Sequence, residues 1–166
     1  LRSYQPKIKP HPGQIKKAAK AILSSERPVI YAGGGAIYSN AAKELSELNK
    51  ILKVPVTNTL MGLGVYPAKN KLFLGMLGMH GTYQANMAMH NADLILAVGS
   101  RFDDRITNTP SRFAPNAKIV HIDVDPASIS KIIKADIPIV GQVKDSLQAL
   151  IKEIKRSKIK IDTDAI

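Results

Sequence analysis

The chain alternates short apolar runs with longer amphipathic segments. The apolar runs are typical of strands buried on both faces of a parallel sheet, and they occupy residues 29–32, 54–58, 93–98, 118–124 and 137–140. Helices are predicted between these runs, at residues 14–25, 40–52, 82–90, 126–133 and 143–155. The pattern predicts a doubly wound, Rossmann-like α/β domain with a mainly parallel sheet of about six strands and helices on both faces.

Both ends of the chain depart from this alternation. Three prolines interrupt residues 1–13, which we expect to be a linker. Residues 157–166 are expected to be a second linker, frayed rather than folded. The predicted domain therefore spans residues 14–156, and only residues 66–75 within it are ambiguous. A chain of 166 residues suits one such domain.

Composition excludes several classes of function. The chain has no cysteine, so it can form no disulfide, thiolate metal site or thiol nucleophile. Its apolar runs are far shorter than the ~20 residues of a membrane span, and its beginning lacks the layout of a secretory signal. The net charge is +11. The basic stretches flank the central motifs and do not form a surface of interleaved basic and aromatic residues, so the charge supports only non-specific attraction to polyanions. We expect a cytoplasmic protein with no nucleic-acid or membrane partner.

The loop after residues 93–98 carries the most informative chemistry. Its strand ends in Gly99-Ser100, where the backbone can turn sharply and approach a ligand. Two arginines and two aspartates follow within five residues, Arg101-Phe102-Asp103-Asp104-Arg105. Ligands of open α/β sheets bind just outside the carboxyl ends of strands, where this cluster falls. A solvated loop with weak surface ion pairs is the alternative interpretation.

Two further features point to a nucleotide. Gly33-Gly34-Gly35 follows the first strand and suits the close approach of a pyrophosphate to backbone N–H groups. It is not the dinucleotide fingerprint, because Tyr38 stands where the third glycine would be, and a structural turn is an equal alternative. Asp123 ends another buried strand, where an acid commonly accepts hydrogen bonds from ribose hydroxyls. We interpret Asp125 instead as the cap of the following helix.

Three strings resemble, in their order, the central domain of the acetolactate synthase (acetohydroxyacid synthase) catalytic subunit. They are residues 97–105, 77–81 and 59–64, or Ala-Val-Gly-Ser-Arg-Phe-Asp-Asp-Arg, Leu-Gly-Met-His-Gly and Thr-Leu-Met-Gly-Leu-Gly. The resemblance runs from about Pro10 to Lys155. It implies a family of thiamine-diphosphate enzymes with three α/β domains per subunit, of which the middle one carries FAD. It also implies that residues 1–13 and 157–166 lead to domains absent from this sequence.

The resemblance assigns roles to individual positions. It implies a substrate channel formed by Met79, Asp104 and Arg105, in which Arg105 holds the carboxylate of the second 2-ketoacid and Asp104 orients the guanidinium. The positions expected to contact FAD include Met79 and Arg105 again, and the full set is Gly33, Gly34, Gly35, Thr59, Leu60, Met61, Leu77, Gly78, Met79, His80, Gly99, Ser100, Arg101, Asp103, Arg105, Ile106, Asp123, Val124, Gly141 and Gln142. Relatives commonly have an aspartate at position 142, so Gln142 is expected to contribute its backbone.

The resemblance also implies what the whole enzyme does. It would decarboxylate pyruvate on thiamine diphosphate and transfer the two-carbon unit to a second 2-ketoacid, in branched-chain amino acid biosynthesis. The chain has no Gly-Asp-Gly motif followed by asparagine for the diphosphate and its Mg²⁺, and the activating glutamate belongs to the first domain. We therefore expect no catalytic residue and no metal ligand in this fragment, which should be inert alone. A homo-oligomer, a dimer or tetramer, with a small regulatory subunit is expected.

Other functions stay open on the sequence alone. Glyoxylate carboligase and pyruvate oxidase are related thiamine-diphosphate enzymes with similar central domains. A stand-alone nucleotide-binding module, or an assembly module without a cofactor, is a different class of function. A sirtuin-type deacylase is disfavoured because its zinc lobe requires cysteines. Flavin absorbance of the purified protein would separate a flavin-binding domain from the deacylase, the stand-alone nucleotide-binding module and the assembly module.

Overall fold

The computed structural model describes residues 9–107 and 109–164, with side chains described to residue 158. Its described residues form one six-stranded sheet in which every pair of neighbouring strands is parallel. The order is β3-β2-β1-β4-β5-β6. The strands are β1 Pro28–Ala32, β2 Val56–Asn58, β3 Phe73–Met76, β4 Leu94–Val98, β5 Lys118–Asp123 and β6 Ile137–Val140.

Helices cover both faces of the sheet, and each face has its own apolar core. The helices are α1 Pro12–Ser24, α2 Gly34–Tyr38, α3 Ala42–Leu52, α4 Tyr83–Asn91, α5 Asp104–Thr107 and α6 Val143–Asp164. The cluster on one face takes its helical members from α1, α2, α3 and α6, and the smaller cluster on the other face includes Met89 of α4. Among the described helices, none is long and apolar enough to cross a membrane. The predicted doubly wound α/β fold is confirmed.

The structure differs from the sequence prediction in several regions. Residues 126–133, predicted as a helix, are turns instead. Asp125 does accept the Ala127 N–H at 2.9 Å, as a cap would, but Ser130 has a φ of 62°, which ends any right-handed helix there. The ambiguous residues 66–75 contain most of β3, a four-residue edge strand whose residues are all half-buried. The loop predicted between β4 and β5 contains α5.

The last helix is longer than predicted. We expected it to end at Lys155 and residues 157–166 to be frayed, whereas α6 continues to Asp164. Its contacts with α3 explain part of the difference, since Lys155 Nζ pairs with Glu47 at 2.8 Å and Lys158 Nζ donates to the Ile51 carbonyl at 3.2 Å. Residues 165–166 lie outside the described residues.

The first helix begins two residues earlier than predicted. Pro12 occupies its first turn, where a missing N–H costs nothing, and His11 Nδ1 accepts the Gly13 N–H at 3.1 Å. Residues 1–8 of the predicted entering linker lie outside the described residues.

Candidate functional site

The site lies where the strand order reverses. The chain leaves β1 towards β2 on one side and arrives at β4 on the other, so the loops after these two adjacent strands diverge and leave a crevice at the carboxyl edge. A cavity of about 650 Å³ occupies this crevice. That volume is in the range of small-molecule sites, roughly 300–1,000 Å³.

Two glycine loops form the floor of the cavity. The Gly33 N–H donates to the Val98 carbonyl and the Gly35 N–H to the Gly99 carbonyl, both at 2.9 Å. A Cβ on Gly35 would lie 2.8 Å from the Gly99 Cα, and Gly99 itself has a φ of 57°. The loops after β1 and β4 are therefore packed backbone against backbone, which side chains would prevent.

The loop after β2 forms one wall. Thr59 Oγ1 accepts the Gly62 N–H at 3.0 Å, and Asn58 Nδ2 donates to the Gly62 carbonyl at 2.8 Å. These contacts fold residues 60–62 into one 3₁₀ turn and leave Leu60 and Met61 67% and 64% exposed beside the cavity. Apolar side chains exposed on a wall of a cavity favour an apolar group in contact with them.

The loop after β3 forms the opposite wall and is held by Asn86 of α4. The Asn86 amide accepts the Gly78 N–H at 3.2 Å and donates to the Gly78 carbonyl at 3.0 Å. Gly78 adopts a φ of 107°, which favours glycine. The Met79 N–H then donates to the Arg105 carbonyl at 3.3 Å. This wall is consequently joined to the charged loop after β4.

The charged loop is anchored from below and exposed above. Ser100 is buried and its hydroxyl donates to the Tyr31 carbonyl at 3.2 Å, while Phe102 is inserted into the smaller core. Arg101 and Arg105 are exposed and line the cavity together with half-buried Asp103. The loop thus offers two guanidinium groups to a ligand while its apolar residue holds it in place.

The predicted orientation of Arg105 by Asp104 is not seen. The carboxylates of Asp104 and Asp103 accept the backbone N–H of Arg105, at 3.0 and 3.1 Å. Among the ion pairs of the described residues, none joins the Arg105 guanidinium to either aspartate. The carboxylates cap the first turn of α5 instead, as acids at helix N-termini commonly do, and the guanidinium keeps its donors for another partner.

Asp123 marks the far end of the cavity. Its Oδ1 accepts the N–H of Asp125 at 2.9 Å, and its Oδ2 lies 4.0 Å from Nε2 of buried His121. Burial lowers the pKa of His121, while the Ser100 carbonyl and Asp123 act in the opposite direction. His121 is therefore neutral at neutral pH, and the carboxylate of Asp123 keeps acceptor capacity for a ligand.

Most predicted cofactor positions meet at this cavity. The lining includes Gly34, Gly35, Thr59, Leu60, Met61, Leu77, Gly78, Met79, His80, Gly99, Ser100, Arg101, Asp103, Arg105, Ile106 and Asp123. Five predicted site residues lie outside the lining, namely Gly33, Asp104, Val124, Gly141 and Gln142. Gly141 donates its N–H to the Asp123 carbonyl at 2.9 Å and so supports the lining from behind.

Sequence reasoning missed three lining residues, Tyr38, Met76 and Ser128. Tyr38 is the last residue of the short helix α2, and its side chain is 83% exposed beside the cavity. Its position just after the glycine loop is the sequence signal that could have indicated this place. Met76 ends a strand that the sequence left ambiguous. Ser128 lies in the segment wrongly predicted as a helix, so its place at the cavity had no readable signal.

Comparison with known proteins gives the family. The model of the thiamine pyrophosphate enzyme central domain matches residues 15–150. The chain belongs to this family. It is 51% identical over 164 residues to the acetolactate synthase large subunit of Haemophilus influenzae, and the matched region covers 99% of this chain and 29% of that protein. The sequence prediction of this family is confirmed.

Other relatives agree. The acetolactate synthase isozyme 3 large subunit of Escherichia coli is 49% identical over 166 residues, covering 100% of this chain and 29% of the relative. A probable acetolactate synthase large subunit of Methanocaldococcus jannaschii is 53% identical over 160 residues, covering 96% and 27%. The chain thus corresponds to less than a third of the length of each of these relatives.

Proposed function

We propose that this domain is the FAD-binding part of an acetolactate synthase catalytic subunit. The whole protein would decarboxylate pyruvate on thiamine diphosphate and join the two-carbon unit to a second 2-ketoacid, as the names of the relatives support. The observation that carries the proposal is the cavity itself. Loops after four parallel strands bring the three family-like strings to one place, at the switch point of a domain from this enzyme family.

The donors and acceptors around the cavity fit FAD. The guanidinium of Arg101 and the N–H of Gly34 suit a pyrophosphate, because arginine and backbone N–H groups both donate to phosphate oxygens. The N–H groups of Gly33 and Gly35 are already used by the Val98 and Gly99 carbonyls. The carboxylate of Asp123 suits ribose hydroxyls, which donate hydrogen bonds. The exposed side chains of Leu60 and Met61 suit an apolar ring. When bound, FAD would perform no net redox step in this enzyme and would serve a structural role.

Arg105 is the proposed substrate contact of this chain. Its exposed guanidinium lines the cavity beside Met79 and is not paired with the neighbouring aspartates. A planar guanidinium can donate two parallel hydrogen bonds to a carboxylate, which is the group that every 2-ketoacid shares. In this proposal Arg105 holds the second 2-ketoacid, and Met79 packs against its apolar part.

Thiamine diphosphate and Mg²⁺ are assigned to other parts of the full-length enzyme. Within the described residues, no group of three or more His, Asp or Glu side chains could hold a metal ion. The isolated fragment is accordingly proposed to be inert. A homo-oligomer in the cytoplasm belongs to the same proposal, and the words "large subunit" in the names of the relatives support a small regulatory partner.

A ligand titration of the full-length protein tests the cofactor assignment. FAD and ADP are each added to the apoprotein; FAD binding is followed by quenching of flavin fluorescence, and ADP binding by calorimetry. Asp123→Asn removes the charge of the proposed ribose acceptor and should weaken the binding of both ligands by about ten- to a hundredfold, the worth of a hydrogen bond to a charged group.

Asp125→Asn is the matched control. Asp125 lies two residues away, and its carboxylate accepts the Ala127 N–H and the Ser128 hydroxyl, so it is occupied within its own turn. The control should bind both ligands as the wild type does. Failure of wild-type protein to bind FAD at micromolar concentrations would refute the cofactor assignment.

A further inference from the structure

Two buried polar side chains lie below the charged loop in one row across the sheet. Tyr31 of β1 is in register with Ala97 of β4, which is in register with His121 of β5. Both polar residues are almost completely inaccessible, at 0% and 1% exposure. Neither lines the cavity. The small side chain of Ala97 between them leaves space above the row for Phe102.

Each of these side chains contacts a carbonyl of the charged loop. His121 Nε2 lies 2.8 Å from the Ser100 carbonyl oxygen, and the Tyr31 hydroxyl donates to the Arg101 carbonyl at 3.4 Å. The ring of Phe102 packs between them, with centroids 5.4 Å from His121 and 5.6 Å from Tyr31. Three consecutive loop residues are therefore held by one buried row.

Both donors are neutral in this environment. Burial lowers the pKa of His121, and burial raises the pKa of Tyr31 with a further contribution from the charge of Asp103. Nδ1 of His121 is buried without a hydrogen-bond partner among the described residues. The proton of the neutral ring is therefore best placed on Nε2, where the Ser100 carbonyl accepts it.

Fixing a carbonyl also fixes the next N–H. The peptide bond is planar and trans, so the Arg101 N–H points opposite to the Ser100 carbonyl, and the Phe102 N–H opposite to the Arg101 carbonyl. With both carbonyls turned down to the buried row, both N–H groups turn away from it.

We propose that His121 and Tyr31 are positioning residues that hold the peptide groups of Ser100 and Arg101 in the orientation required for nucleotide binding. The inference rests on the proposed function, since FAD is the nucleotide concerned. Neither residue lines the cavity, and Tyr31 contacts the loop alone, whereas His121 also lies 4.0 Å from the carboxylate of Asp123, so Tyr31→Phe is the variant that reports on the loop by itself. Their substitution should weaken FAD binding out of proportion to its effect on folding.

The experiment measures FAD affinity and thermal stability of the full-length protein for matched variants. His121→Phe keeps an aromatic ring but removes the donor, and should weaken FAD binding about five- to tenfold, the effect of one lost buried hydrogen bond. Tyr31→Phe removes a longer and weaker hydrogen bond, with an expected loss of about two- to threefold. His121→Gln can place an amide N–H near the same carbonyl and should restore most of the affinity.

Tyr66→Phe is the control for a merely structural effect. Tyr66 is also buried, and its hydroxyl accepts a hydrogen bond from Asn49 at 2.8 Å, but it belongs to the core on the opposite face. It should lower the melting temperature while leaving the Kd for FAD unchanged. The circular dichroism of bound flavin should change in His121→Phe and not in Tyr66→Phe.

The outcomes separate two failures. If the wild-type protein binds FAD and both His121→Phe and Tyr31→Phe bind it with the same Kd as the wild type, this inference is overturned and the proposed function stays intact. A wild-type protein that does not bind FAD would overturn the proposed function, and this inference with it. Loss of affinity in His121→Gln equal to that in His121→Phe would also contradict it, because the donor would then not be the feature that matters.

Discussion

Arg105 shows how single residues at this site divide between folding and binding. Its backbone N–H is used by two aspartates, whereas its guanidinium is exposed at the cavity. The local carboxylates thus stabilise the helix start and leave the positive charge available. An arginine arranged in this way is suited to an incoming carboxylate.

In the full-length protein, Arg105→Lys should retain the fold and the flavin. It should lower kcat/KM for the second 2-ketoacid about ten- to a hundredfold, because one hydrogen bond from a charged group is worth roughly 1.5–3 kcal/mol. Steady-state kinetics with the second ketoacid varied provide the measurement. Arg112→Lys, an exposed arginine that does not line this cavity, is the control. Unchanged kinetics in Arg105→Lys would show that Arg105 is a surface residue without a role in substrate binding.

His121 predicts a dependence of stability on pH. Its folded pKa lies below the ordinary value of 6.5 despite Asp123 at 4.0 Å, so the unfolded chain binds this proton more readily. The contribution of neutral His121 to the free energy of unfolding should therefore be complete above pH 6.5, and it should be lost as the pH decreases through the folded pKa. Denaturant unfolding at pH 7.5 and 5.5 measures the loss, which should be smaller in His121→Gln. Equal losses in the two proteins would contradict this assignment.

At the scale of elements, the predictable parts are those whose signal is local. Short, almost entirely apolar runs such as residues 93–98 predict buried strands, and glycines directly after them predict the loops that form the cavity floor. The short edge strand β3 carries no such signal, since its residues are all half-buried. The anchoring contacts of Asn86 and His121 were missed because they depend on partners 8 and 21 residues away.

The backbone contact between the two glycine loops can be tested with a pair of variants. A Cβ on Gly99 would lie 2.7 Å from backbone atoms of Gly35 and Ala36, so Gly99→Ala should cost roughly 2–4 kcal/mol of stability and weaken nucleotide binding. Gly64 also has a positive φ, 94°, but its Cβ would meet no atom within 4 Å. Gly64→Ala should therefore show only the cost of the backbone conformation, and denaturant unfolding of both variants compares them. Equal costs would argue against close loop packing.

At the scale of the whole molecule, the cavity is open where the rest of the enzyme is expected. Tyr38, Leu60, Met61 and Met79 are each at least 64% exposed around it. The chain covers 29% of the Haemophilus influenzae relative, so most of that protein's length lies outside this domain. Exposed apolar side chains grouped at one cavity are consistent with a ligand and a further domain that cover them.

The most direct test of the account is a structure of the full-length protein with FAD bound. We expect FAD in the cavity at the carboxyl edge of the sheet, with its ribose hydroxyls in hydrogen-bond contact with Asp123 and its pyrophosphate against the loops after β1 and β4. Arg105 should face the space left for the substrate. FAD bound elsewhere, or a cavity filled by protein side chains in the complete enzyme, would contradict the account.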